Sequence, residues 1–94
     1  MDTGNGVTTD DVARWMADQV GTHGVLDQAA AAERIGRIFG PGFTLRNRNG
    51  TWAIATPVLA AFRRLTAGTV VWEPSILAWC LRMPDDPPDR RQAL

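Results

Sequence analysis

The stretch FTLRNRNGTWAI, residues 43–54, sets a polar tip between two short segments of alternating apolar and polar residues. Asn-Gly is a strong hairpin signal, because both residues accept positive φ. With Asn49-Gly50 as a two-residue turn, Arg48 pairs with Thr51, Asn47 with Trp52, Arg46 with Ala53 and Leu45 with Ile54. Phe43, Leu45, Trp52 and Ile54 then share the core face. Arg46 and Arg48 share the outer face with Thr44, Thr51 and Ala53. The alternation agrees with the turn, so the pattern specifies this register and directs both arginines to solvent or to a partner.

Helical signals lie on both sides of the hairpin. Thr8 to Asp11 fits a capping box, a hydroxyl followed three residues later by an acid. Val12, Trp15, Met16, Gln19 and Val20 follow at helical spacing, which predicts a helix over 9–20 ended by Gly21, with Trp15 in the core. His23-Gly24 reads as a turn and Val25-Leu26 as a short strand. Asp27 is placed to cap a second helix, QAAAAERIGRIF, whose Ala31, Ile35, Ile38 and Phe39 share a face. Gly40-Pro41-Gly42 stops it.

Beyond the hairpin, Thr56-Pro57 reads as an N-cap followed by proline at the first helical position. Val58, Leu59, Phe62 and Leu65 form the apolar stripe of a third helix closed by Gly68. TVVW, residues 69–72, reads as a strand and Glu73-Pro74-Ser75 as a break. Residues 76–82 read as a short helix with Ile76, Trp79 and Cys80 turned inward.

This order predicts an α+β, winged-helix-like domain over residues 8–83: three main helices, an Asn-Gly β-hairpin and a short C-terminal strand and helix. One departure from that plan is visible. A helix-turn-helix places two successive helices before the hairpin, whereas here the second helix runs through Gly40-Pro41-Gly42 directly into it. Residues 1–7 read as a flexible N-terminus. Residues 84–94, with their prolines and aspartates, read as an extended or disordered tail.

The chain of 94 residues suffices for one modest core, and 45% hydrophobic with 21% charged residues is ordinary for a globular domain. Net charge is zero but unevenly spread. Residues 1–27 hold five acids and one arginine, residues 28–72 six arginines and one acid, and residues 73–94 four acids and three arginines. Every basic residue is arginine, whose planar fork suits phosphates and carboxylates. With one cysteine and one histidine, neither an internal disulfide nor a Cys/His metal cluster can form. No signal peptide or membrane span is evident, which points to the cytoplasm.

TVVWE at 69–73, Trp79, and Asp86-Pro87-Pro88 followed by Arg90 resemble the C-terminal pattern of small uncharacterised bacterial and phage-associated proteins. NGTWAI and VLAAFRRLT are similar to the same group, and the likeness spans most of residues 10–91. Where those proteins carry basic residues between the two tryptophans, this chain has Pro74-Ser75-Ile76-Leu77-Ala78. The resemblance implies a shared domain and no particular activity.

Two functions compete. The first is nucleic-acid binding through the hairpin, with Arg46, Asn47, Arg48 and Asn49 as contacts and Arg34, Arg37, Arg63 and Arg64 extending the basic surface. Loop tips are polar for structural reasons too, and the chain's pI near 6.5 is below that of typical nucleic-acid binders. The second is docking of a protein partner, or of another copy, on an apolar C-terminal segment of Trp72, Ile76, Leu77, Trp79 and Met83. Catalysis is not expected: His23 and Cys80 lack a third member, and the paired acids Asp10-Asp11 and Asp85-Asp86 belong to a helix start and a loop. No cofactor, metal, small-molecule ligand or membrane partner is expected.

Overall fold

Thr8 starts the first helix, α1 (Thr9–His23), by reciprocal capping. Its hydroxyl accepts from the Asp11 N–H at 3.1 Å, and the Asp11 carboxylate accepts from the Thr8 N–H at 3.0 Å. The computed structural model describes residues 7–82. The helix runs through Gly21 and ends only where Gly24 adopts φ +81° and donates its N–H to the Val20 carbonyl at 2.7 Å. A glycine inside a helix costs about 1 kcal/mol relative to alanine and is tolerated; the stop needs a residue held in the left-handed region, and that residue is Gly24.

Strand β1 (Val25–Asp27) leads into α2 (Gln28–Phe39), which Asp27 caps by accepting the Ala30 N–H at 2.9 Å. The buried arc of α2 runs through Ala31, Ala32 and Ile35, and Ile38 lies just off its edge, exposed rather than inward. Phe39 is half-buried and meets the edge of Trp15, ring centres 6.0 Å apart. Trp15 therefore packs on the rim of the core rather than within it.

A 3₁₀ turn (Pro41–Phe43) feeds β2 (Thr44–Arg46), which pairs antiparallel with β3 (Trp52–Ile54). The observed partners are Thr44 with Ile54, Leu45 with Ala53 and Arg46 with Trp52, one residue out of the phase the sequence suggests. The loop has three residues, Arg48 to Gly50. Asn47 and Thr51 close it with a 2.8 Å backbone bond, and the Gly50 N–H donates to the Asn47 carbonyl at 3.0 Å. Gly50 alone takes positive φ, +87°, as in a turn followed by a left-handed residue. A one-residue shift exchanges the faces of a strand. Thr44 is accordingly buried, Leu45 is 53% exposed, and Arg46 shares a face with Trp52.

Helix α3 (Thr56–Leu65) follows, with Ala55 at its N-cap and Thr56 already helical; no side chain caps it. Its buried residues are Val58, Ala61 and Phe62, while Leu59 is half-buried and Leu65 exposed. It lies along α1.

Strands β4 (Val70–Glu73) and β5 (Ala78–Leu81) form a second hairpin joined by Pro74–Leu77. The helix expected over 76–82 is therefore a strand. A short apolar run satisfies either period, and here Ala78 to Leu81 fills the middle of a three-stranded antiparallel sheet ordered β1-β5-β4. Of the residues expected to turn inward, Trp79 is buried, Cys80 is half-buried and Ile76 is exposed. Leu26, Trp79 and Trp72 line up across one face of the sheet. Trp79 is fully enclosed, 5.0 Å from the Trp72 ring and 5.2 Å edge-on from Phe62. Its indole N–H has no acceptor among the described residues.

The described residues thus form an α+β fold of three helices and two small antiparallel sheets. The expectations for residues 1–6 and for the tail at 84–94 lie outside the described residues, as does Met83.

Candidate functional site

The loop of the first hairpin is held by its own side chains. Asn49 Oδ1 accepts from the Thr51 N–H at 3.1 Å and from the Thr51 hydroxyl at 2.7 Å. Asn47 Nδ2 donates to Thr51 Oγ1 at 2.9 Å. Both asparagines, expected as contact residues, are bound within the loop. Arg48 is exposed between them and takes no part in an ion pair among the described residues.

Arg46 and Trp52 face each other across the ladder. The guanidinium carbon stands 5.0 Å from the centre of the indole, a cation–π contact. Trp52 is 39% exposed, where the sequence pattern had placed it in the core. Trp52 keeps the face of Ile54 but lies next to the loop, level with Arg46 beyond the buried Thr44–Ile54 pair.

The face of the hairpin that carries Thr44 and Trp52 stands over α2. A hollow of about 250 Å³ lies between them, bounded by Ala32 and Gly36 on the helix and by Thr44 and Trp52 on the strands, with Glu33 and Arg37 on its wall. A second hollow opens beside it against Ala29 and Ala30, and Glu33 and Trp52 belong to both. The small residues of α2 make this recess: a Cβ at Gly36 would lie 3.8 Å from the Thr44 hydroxyl oxygen. Arg37 Nη2 sits 3.2 Å from Glu33 Oε2, so the acid on the groove wall is neutralised by its neighbour.

The six arginines of the middle segment do not form one footprint. Arg37, Arg46 and Arg48 belong to the hairpin and the facing helix. Arg34 lies 5.5 Å over the Trp15 ring and reaches Gln19 at 3.5 Å. Arg64 pairs with Asp10 at 3.8 Å, and Arg63 is exposed on α3. The groove residues that the pattern did not single out are Glu33 and Trp52. The available signal was that glycine at position 50 fits a three-residue loop as well as a two-residue one.

The apolar C-terminal set is divided. Trp79 is the centre of the core, and Trp72 is half-buried against it. Ile76 and Leu77 remain in the β4–β5 turn, 55% and 57% exposed. His23 ends α1 and is exposed, while Cys80 lies in the central strand opposite Val25 and Val71. Among the described residues, no helix is long and apolar enough to cross a membrane, and no group of three acidic, histidine or cysteine side chains is placed to hold a metal ion.

Residues 8–81 match a protein family described as a family of unknown function (DUF6953). The chain belongs to this family. The match begins at the Thr8 cap of α1 and ends at the last residue of β5, so the DUF6953 unit coincides with the helices and strands described above. The Asp86-Pro87-Pro88 run lies outside it. No curated protein and no solved structure matches the chain.

Proposed function

We propose that this DUF6953 chain is a small non-enzymatic module that binds nucleic acid through the β2–β3 hairpin and the adjoining surface of α2. The observation that carries this reading is the Arg46–Trp52 stack, exposed beside the groove between the hairpin and α2. An arginine held flat by a ring is pre-ordered for a phosphate, and less freedom is lost when the contact forms. Arg48 adds a second uncompensated charge at the loop. The winged-helix-like reading rests on element order, with the hairpin in the place of a wing. The test is fluorescence anisotropy with labelled DNA and RNA across a series of salt concentrations. Binding that weakens with salt, and that the Arg46→Ala/Arg48→Ala double variant lacks, supports the reading. No binding at low salt removes it.

A second reading is favoured by one observation: Ile76 and Leu77 are exposed side by side at a turn where Leu77 adopts φ +51°. Strained non-glycine backbone clusters at functional sites. In this reading the β4–β5 turn docks a second copy of the chain. Sedimentation that shows a monomer at all accessible concentrations argues against it.

A further inference from the structure

We infer that the groove between α2 and the β2–β3 hairpin takes single-stranded rather than duplex nucleic acid, with Trp52 as the platform on which an unpaired base stacks. The inference rests on the nucleic-acid reading above and specifies its substrate.

Three observations point to a single strand. The first is the aromatic surface. Trp52 is 39% exposed, while Trp79 is fully enclosed and Trp15 and Trp72 are half-buried in packing. In a duplex the flat faces of the bases are covered by their neighbours, and only edges and phosphates are presented to a protein. An exposed indole has nothing to stack on there. In a single strand the base faces are open, and stacking on aromatic rings or guanidinium planes is the common mode of capture. Trp52 and Arg46 provide both surfaces in contact with one another.

The second observation is that the amide side chains of the hairpin are already engaged: Asn47 and Asn49 are both bonded to Thr51. What remains is an aromatic platform with arginines, which is tolerant of sequence.

The third is depth with the right charge. The hollows beside Trp52 are floored by the small residues Ala29, Ala30, Ala32 and Gly36, so a flat group on the indole has somewhere to lie. Glu33 would repel a phosphate backbone, but Arg37 neutralises it at 3.2 Å. Arg46 and Arg48 have no acidic partner among the described residues, which leaves the rim positive.

The test is anisotropy with a labelled oligothymidylate and a labelled blunt duplex of equal length, each titrated over a salt series. The wild-type chain is compared with Trp52→Ala, Trp52→Phe and the Arg46→Ala/Arg48→Ala double variant. The single strand should bind about tenfold or more tighter than the duplex. Trp52→Ala should weaken it about fivefold or more with an unchanged salt slope, and Trp52→Phe should keep most of the affinity. The double variant should flatten the slope by about 1.4, since each phosphate contact on a single strand contributes about 0.7. Equal or tighter duplex binding overturns the single-strand inference and leaves the nucleic-acid reading standing. Single-strand binding unaffected by Trp52→Ala removes the stacking platform. Failure of both probes to bind at low salt overturns the inference and the reading together.

Discussion

Arg46 and Trp52 occupy opposite ends of the last pair of the β2–β3 ladder, with the guanidinium 5.0 Å from the ring centre. Such a contact at an exposed site is worth about 0.5–1 kcal/mol. Arg46→Ala should lower the unfolding free energy by that amount in urea denaturation, and Arg46→Lys by less. An Arg46→Ala protein as stable as wild type would mean that the arginine does not order the hairpin.

Gly50 separates two effects of side-chain addition. Nothing lies within 4 Å of the place its Cβ would take, so only the backbone at φ +87° resists substitution. Gly50→Ala should destabilise by about 1 kcal/mol, Gly50→Asn by less, and Gly50→Val by more, since a β-branched residue tolerates positive φ least. Thermal unfolding of the three variants gives the order. Equal melting temperatures would show that position 50 does not hold the left-handed backbone.

Trp79 joins the sheet to α3 through Phe62 and packs on Trp72 of the neighbouring strand. Trp79→Ala should cost about 3–5 kcal/mol, enough to unfold much of a small domain. Trp79→Phe loses volume but also removes a buried N–H without an acceptor, whose burial costs about 1–3 kcal/mol. It should recover more than half of the alanine loss in chemical denaturation. A phenylalanine variant no better than alanine would show that the indole's shape outweighs its unpaired donor.

Leu77 carries strain that can be relieved. It holds φ +51° while its carbonyl accepts the Gln28 N–H at 3.0 Å, tying the β4–β5 turn to the start of α2. Asparagine tolerates this backbone far better than leucine, so Leu77→Asn should stabilise by about 1 kcal/mol. A loss of stability on denaturation would show that the half-exposed leucine makes contacts worth more than its strain.

Local chemistry was legible in the sequence where the deciding atoms are close along the chain. The Thr8 and Asp27 caps, the strand at Val25-Leu26 and the strand within TVVW follow from neighbouring residues. The hairpin phase does not. Phe43 and Leu45 are the more apolar choice for a core face, yet Thr44 points inward because it meets Gly36 on α2, a contact only the tertiary fold creates. Residues 78–81 show the same limit: their run suits helix or strand, and the vacancy between β1 and β4 selects the strand. The arginines were visible as a charge excess and the Glu33–Arg37 pair is local to α2, but the ring that holds Arg34 and the acid that holds Arg64 come from the fold.

The placement of β5 bears on the birth of the protein. Among the described residues, strands β1 and β4 do not pair with each other; each bonds to β5, the last element of the family match. Synthesis therefore adds all three helices and both flanking strands before the residue that seals them, Trp79. Until then Leu26 and Phe62 have no sheet to close over them. A chain ending before β5 would leave Leu26 and Phe62 without the indole that packs beside them.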